Sequence, residues 1–403
     1  MNILILNSGS SSQKSSLYAL TSDTLPEQPP EPLWQAQIDW THQQGMAELK
    51  VKTAQGVGLE SELPSDSRFD LTLQMLQTLW SGKTQVLQPQ AIDVVGHRVV
   101  HGGQEYQSST LVTPEVKAAI ARLATLAPAH NPANLEGIEA IEQILGEVRQ
   151  VAVFDTAFHT QMPLSAVVYP GPYEWFEQGI RRYGFHGISH QYCAQKAAQI
   201  LGRDLKELRL IVCHLGNGCS LAAIRDGYSV DTTMGFTPLE GLMMGSRSGS
   251  VDPSILIHLM RQEGYTADKL DQLLNKASGL KGISGVSEDM RQITAMLAEG
   301  NPRAQLAFDI FVHRLRSCIG AMLASLGGLD ALVFTAGIGE NSPTIRAAAC
   351  EAFEFLGLRL DSEKNACSPV GQDIAMANSA VRVLVIHTQE DWAIAQECWH
   401  FLK

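Results

Sequence analysis

Residues 210–220 read LIVCHLGNGCS: an apolar run, a tip bracketed by Gly216 and Gly218, and a second apolar start at Leu221. The run is short enough for a buried strand. A turn at the two glycines leaves backbone N–H groups bare at the tip, where the missing side chains let a phosphate approach closely. A glycine-rich hairpin on its own is more often only a turn. What points beyond a turn is an echo in residues 1–17, MNILILNSGSSSQKSSL, where Asn7 closes an apolar run as His214 does and a glycine follows two places on. The same interval of 207 residues separates Gly9 from Gly216 and Asn7 from His214. Two copies of one strand, turn, strand unit predict a duplicated fold with two phosphate-facing hairpins across one cleft.

A chain of 403 residues is long for one core, so two domains of roughly 150 to 200 residues are expected. The formal net charge of −12 argues against nucleic acid or an anionic membrane as partner, since both demand a basic face. An anionic substrate must then be drawn by local arginines. Seven cysteines without a CxxC pair, and a start that reads as a strand and not a secretory signal, predict a soluble cytoplasmic protein. Cys213 and Cys219 read as small core residues. The longest apolar stretch, around residues 321–339, is broken by Gly327, Gly328 and Asp330, too short for a membrane span of about 18 residues.

Outward from the hairpins, residues 21–32 are a proline-rich acidic loop and residues 33–60 alternate as exposed strands. Residues 69–79 have helical spacing. Residues 91–100 form a buried strand that ends in His97, Arg98 and His101. Thr113 caps a helix with Pro114 at its first position. The loop 127–132 holds His130 between two prolines, a stiff setting, and Asn134 is expected to cap the next helix. Strand 151–154 ends at Asp155, a position that faces the ligand crevice in α/β sheets. Ser189 is expected to cap a helix that Gly202 ends. The polar loop 231–253 is long enough to suggest function. Asp252 with Pro253 and Asn301 with Pro302 start helices, the second with an expected inner face of Leu306, Ile310, Leu315, Ile319, Met322 and Leu326. Strand 330–339 runs into Gly337 and Gly339, and Ser342 opens a helix whose first amides suit a phosphate or nucleotide edge. Residues 381–386 are the last strand, followed by a helix carrying Trp392, Ala395 and Trp399.

Seven motifs occur in order: NSGSSSQK at 7–14, GHRVVHGG at 96–103, FDTAFH at 154–159, RYGFHG at 182–187, HLGNG at 214–218, MGSRSG at 244–249 and AGIGEN at 336–341. Together they resemble the acetokinase family, within the superfamily of acetate and sugar kinases, heat-shock chaperones and actin. The resemblance implies duplicated actin-like (ribonuclease H-like) α/β domains flanking a nucleotide cleft. It places residues 1–157 with 388–403 in one domain, and residues 158–387 in a nucleotide-binding and dimerisation domain. The implied activity is reversible, magnesium-dependent, in-line transfer of the ATP γ-phosphoryl group to acetate, giving acetyl phosphate and ADP. The resemblance also implies a homodimer and a metal site in which manganese can replace magnesium.

By the same resemblance Arg98 and Arg247 grip the carboxylate and the transferred phosphoryl group. His186, Arg247 and His130 stabilise the transition state, and Asn7 and Glu390 serve the metal. Gln389 and Asp391, beside Glu390, replace a more usual Asn and Glu. Ser12, Lys14, His214, Leu215, Gly216, Asn217 and Gly218 match phosphate-binding positions, and Asp289, Met290, Arg291, Gly337, Ile338, Gly339, Glu340 and Asn341 match the nucleotide's surroundings. Val100, Ala129, Phe185 and Pro238 match the pocket for the acid's methyl group. Ala129 stands where the family usually has leucine, which either leaves room for a methylene worth about 0.8 kcal/mol or is refilled by neighbours. A propionate or other short-chain acyl kinase is therefore the alternative. A carboxylate nucleophile with a pKa near ~4 needs no general base, so Asp155 is expected to position groups and not to take a proton. A chaperone-like or filament-forming ATPase is the rival from another class. Its nucleophile would be water, for which Arg98 and Arg247 have no use.

Overall fold

The computed structural model describes residues 1–9, 12–21, 24–43, 45–367 and 370–403. Ser10 and Ser11 of the first hairpin tip, and Ser22 and Asp23 of the proline-rich loop, lie outside the described residues. The chain divides into two compact units, Met1–Ala157 with Gln389–Lys403, and Phe158–Thr388.

In the first unit the apolar runs become strands β1 (Asn2–Ser8), β2 (Ser12–Ala19), β3 (Trp34–Gln43), β4 (Met46–Thr53), β5 (Gly58–Pro64), β6 (Val94–Val99), β7 (Thr110–Leu111) and β8 (Arg149–Phe154). They form one sheet in the order β5-β4-β3-β2-β1-β6-β8-β7. The second unit holds β9 (Leu210–Leu215), β10 (Cys219–Arg225), β11 (Tyr228–Thr232), β12 (Ala331–Thr335), β13 (Gln372–Asp373) and β14 (Arg382–Val385), in the order β11-β10-β9-β12-β14-β13. In each sheet a three-stranded antiparallel meander is followed by two strands parallel to its first. The duplication expected from the echoing hairpins is thus present as a shared five-strand core, with β1–β2 and β9–β10 as equivalent hairpins.

Every residue of β9 is buried. A strand of this composition suits the middle of a sheet packed under helices, and helices Gly187–Leu201 and Pro302–Leu326 pack against it. Helix Gly187–Leu201 follows the last strand of the first repeat, yet it packs on β9 and β12. Helix Glu390–Leu402 follows the last strand of the second repeat and packs on β1 and β6. Each repeat's closing helix therefore covers the other repeat's sheet. Gly96 in β6 permits the second of these contacts, since a Cβ there would stand 2.6 Å from both Cys398 Sγ and Ile394 Cγ2.

Thr113, Asp252, Asn301 and Ser342 cap their helices with side-chain acceptors as expected. Three expectations fail. The helix expected to start at Asn134 spans Asn131–Leu145, with His130 as N-cap. The Asn134 amide, inside it, accepts from Val100 N–H and donates to the Ser8 carbonyl, both at 3.1 Å. Ser189 likewise lies inside helix Gly187–Leu201, whose N-cap is His186. Leu306 is 52% exposed. The buried stripe of its helix begins at Ala304 and Ala307, small residues at the end that packs on helices Gly279–Ser284 and Met290–Ala298. Among the described residues no helix is long and apolar enough to cross a membrane.

Candidate functional site

In the first unit, chemistry gathers at the carboxyl ends of β1, β6 and β8. Parallel pairing of β6 with β8 brings Arg98 to Asp155, the residue that follows β8, and Arg98 Nη2 donates to Asp155 Oδ2 at 2.5 Å. The Asp155 side chain is 1% exposed and that of Arg98 12%. Burial opposes the guanidinium charge, but Asp155, Glu390 and Asp391 outweigh it and hold Arg98 above its ordinary pKa. Arg98 Nε is buried without an acceptor, a shortage that an anionic oxygen reaching it would relieve.

Asn7, near the end of β1, donates through Nδ2 to Glu390 Oε2 at 3.2 Å and Asp391 Oδ1 at 3.0 Å. The other Asp391 oxygen accepts from Ser16 Oγ at 2.7 Å. Glu390 and Asp391 occupy the first turn of helix Glu390–Leu402, where the backbone dipole favours negative charge. Burial nonetheless pushes the Asp391 carboxyl up, against the hydrogen bonds from Ser16 and Asn7. With its nitrogen committed, Asn7 offers Oδ1. Asn7, Asp155 and Glu390 thus present oxygen donors alone, the hard set that magnesium and manganese accept. Among the described residues no three His, Cys, Asp or Glu side chains form a cage for a metal. Magnesium fits this donor set because it commonly takes one or two protein carboxylates, with water and substrate phosphates completing its shell.

Other predicted residues of this unit fall into place less uniformly. Val100 is buried and its N–H is tied to Asn134. Ala129 is exposed, and half-buried His130 follows it at the helix start. Ser12 begins β2. Lys14 stands on the sheet face with Gln35, Lys50, Lys52 and Asp391 around a hollow of about 710 Å³.

The second unit builds its site on the β9–β10 hairpin. Gly216 N–H donates to the Gly218 carbonyl at 3.0 Å, closing the tip. A Cβ on Gly218 would stand 2.7 Å from Arg247 Nη2 and 3.4 Å from His186 Nε2, so a side chain there would push the Arg247 guanidinium away from the tip. Arg247 is anchored by donation from Nη1 to the Pro238 carbonyl at 2.5 Å. His186 and His214 stack with centroids 4.1 Å apart and planes 20° apart. His186 adopts a left-handed backbone, φ 57°, a conformation costing about 1–3 kcal/mol that tends to persist at functional sites. Phe185, just before it, is 1% exposed.

Beside the tip lies a cavity of about 870 Å³, the size of a ligand pocket. Eight predicted residues line it: Gly216, Asn217, Asp289, Met290, Arg291, Gly337, Ile338 and Asn341. Glu288, Thr294, Ser342, Pro343 and Thr344 complete the lining. Asp289 caps helix Met290–Ala298 and pairs with Arg291 at 2.7 Å. Leu215, Gly339 and Glu340 are buried outside the lining. Glu340 accepts from Ala336 N–H at 2.8 Å and Thr388 N–H at 3.2 Å, and pairs with His387 Nδ1 at 2.6 Å. Burial opposes its charge, but His387 and those amides hold its carboxyl below the ordinary value. It therefore fixes the start of the short helix Ala336–Asn341 instead of facing a ligand.

Several residues that shape this half of the site carry no signal in sequence. Arg346, fully buried, donates through Nη1 to the Gly339 and Glu340 carbonyls at 2.8 Å, holding the cavity wall from behind. Ser220 lies against His186 and Ser189 against His214. Serines at such spacing read as strand or cap residues until the fold brings the rings to them.

The model of the acetokinase family matches residues 2–396. The chain is 64% identical over 404 aligned residues to an acetate kinase of Cyanothece sp., covering 100% of this chain and 99% of the relative. It is 66% identical to an acetate kinase of Trichormus variabilis, with full coverage of both. Among solved structures, Porphyromonas gingivalis acetate kinase superposes with a TM-score of 0.89 at 41% identity over the whole of both chains. A propionate kinase from Francisella tularensis gives 0.89 at 39% identity, covering 98% of each. The fold is the actin-like α/β fold of these kinases, and the chain belongs to the acetokinase family.

Proposed function

We propose that the chain transfers the γ-phosphoryl group of ATP reversibly to acetate, giving acetyl phosphate and ADP. The observation that carries this reading is the glycine tip of the β9–β10 hairpin, with two stacked imidazoles and the Arg247 guanidinium brought against it. Acetate is already ionised at neutral pH, so the barrier lies in bringing anions together, and phosphoryl transfer is mainly positioning and charge neutralisation. At ~4 Å and an effective dielectric near ~20, each opposed charge is worth roughly 4 kcal/mol before desolvation. Arg98 binds the carboxylate. Arg247, His186 and His214 bind phosphoryl oxygens, with His130 as a further ligand. Asp155, already in an ion pair with Arg98, acts by fixing that guanidinium.

The nucleotide occupies the cavity beside Gly216, its adenosine along Asp289–Arg291, Gly337, Ile338 and Asn341. Glu390 and Asn7 Oδ1 would hold magnesium, which when bound supplies charge neutralisation. All seven cysteines are free thiols, which suits a reducing cytoplasm.

The test is formation of acyl phosphate from ATP, magnesium and either acetate or propionate, trapped with hydroxylamine. A higher kcat/KM for acetate is the expected result. Preference for propionate would change the acid and leave the roles above in place; no acyl phosphate from either would sink the reading.

A homodimer is also proposed. Helix Pro253–Gln262 has no buried residue, yet Ile255, Ile257 and Met260 are each 48% exposed, apolar surface of the kind that a second copy covers. Light scattering should give twice the mass of one chain, and Ile257→Glu should halve it. A monomeric parent would overturn the assignment.

A further inference from the structure

Behind the stacked imidazoles lies a second layer of polar groups that the proposed reaction does not use. Ser220 Oγ is 2.9 Å from His186 Nδ1 and 2.7 Å from His190 Nε2. Ser189 Oγ is 2.8 Å from His214 Nδ1 and accepts from Thr388 Oγ1 at 2.9 Å. Ser189, His190 and Ser220 are all 0% exposed, so their few protons must be shared among the neighbours within reach.

One hydroxyl carries one proton, and it can donate to only one of two rings while accepting from the other. His190 Nδ1 is buried with no hydrogen-bond partner. Burial, with His159 and His214 nearby, holds its pKa well below the ordinary value, so the ring is neutral and carries one N–H. A proton on Nδ1 would be an orphaned buried donor, the rarer and costlier defect. Placed on Nε2 it donates to Ser220 Oγ, and the Ser220 proton is then left for His186 Nδ1. His186 must accept there, so its own proton sits on Nε2. That nitrogen lies on the Gly218 side, 3.4 Å from where a Cβ on Gly218 would stand. The same logic runs from Thr388 through Ser189 to His214, whose Nε2 is 3.8 Å from the corresponding point on Gly216. Both rings thus turn N–H donors toward the glycine tip.

We propose that His190 and Ser220 are positioning residues that fix His186 as its Nε2–H tautomer, so that this ring donates to a phosphoryl oxygen. The proposal rests on the reaction proposed above. A wrong tautomer would point a lone pair at an anion, so the relay converts a ring of either polarity into a donor of one polarity. Thr388 and Ser189 do the same for His214.

The experiment has a readout that does not depend on turnover. Long-range proton–nitrogen correlation spectra of enzyme labelled with ¹⁵N-histidine report which ring nitrogen is protonated, with the His186 signals identified by their loss in His186→Gln. The expected parent spectrum shows the proton on Nε2. In Ser220→Ala, a mixture of tautomers should appear, kcat for acetyl phosphate formation should fall about 10- to 100-fold, and KM for ATP should change less than about twofold. Ser220→Cys, with a weak donor in place, should recover part of the loss. A parent His186 protonated on Nδ1 overturns the proposal without any variant having to fold. So does a folded Ser220→Ala enzyme with the parent tautomer or the parent kcat. Failure of the underlying reading looks different, since the parent would then make no acyl phosphate whatever its tautomers.

Discussion

Arg247→Ala is expected to lower kcat by about 10³-fold, the scale of losing an arginine from a phosphoryl-transfer site, while the melting temperature moves by only a few degrees. The reasoning is local. Arg247 is half-buried, and among the contacts it gives up in the folded protein is the hydrogen bond to the Pro238 carbonyl, worth about 1 kcal/mol or roughly 2–4 °C in a domain of this size. Its proposed role is to meet charge that is absent until substrate binds. Arg98→Ala should behave differently. Arg98 is the ion-pair partner of a carboxylate that is 1% exposed, and breaking a buried pair from one side costs about 3–5 kcal/mol. Both turnover and stability should therefore fall in that variant, and Arg98→Lys should recover stability better than turnover, because it restores the charge without the planar fork. Thermal scans beside steady-state kinetics separate the two arginines. Parent turnover in Arg247→Ala would remove it from the chemistry, and an unchanged melting temperature in Arg98→Ala would show that the pair with Asp155 does not hold the unit together.

The contrast between the arginines also marks what was legible in the sequence. Hairpins, strands and most caps could be read because they follow from local rules. An apolar run must be buried, glycine permits a tip, and Thr113, Asp252, Asn301 and Ser342 satisfy helix amides as their residue types favour. The 207-residue echo between the hairpins located both repeats, since a duplicated unit keeps its turn chemistry even where side chains diverge. Asn134 and Ser189 misled for a physical reason. They are cap-type residues whose polar groups are used instead for long-range bonds, to Val100 and Ser8 in one case and to His214 and Thr388 in the other. Leu306 misled because apolar period alone does not fix the phase of a stripe that begins with two alanines. Glu340 sits within a recognisable motif, yet its carboxylate faces backbone amides, and motif membership does not say which way a side chain points. Ser220, His190 and Arg346 had no local signal, because each acts through a residue that is distant in sequence or through a backbone carbonyl.

The buried histidines that make the relay possible also predict steep acid instability, which is the second large effect expected. Burial holds His97, His101 and His159 at pKa values of about 4, against a reference of 6.5, and His190 lower still. For each, the folded state keeps the ring neutral while the unfolded chain binds a proton below pH 6.5. The unfolded state therefore holds more protons in the window from 6.5 down to about 4, and stability is fully present above that window and lost as pH falls through it. One such group changes stability by up to about 1.4 kcal/mol per pH unit and by roughly 3 kcal/mol across the window. Domains are stable by only about 5–15 kcal/mol, so two histidines in each unit, His97 and His101 in one and His159 and His190 in the other, are enough to matter. Asp391, whose carboxyl is raised by burial, works in the opposite sense, but it is one group against two in its unit. Calorimetry between pH 7 and pH 4 should show the melting temperature falling by more than 10 °C by pH 5, on the same scale of a few degrees per kcal/mol. His97→Gln, which keeps an N–H donor toward Gln150, should flatten the fall for the first unit and leave the second unit's transition where it was. A melting temperature level from pH 7 to pH 5 would mean that these rings are hydrated or already charged in the folded protein. In that case the neutral His190 on which the Ser220 relay depends would be lost with them.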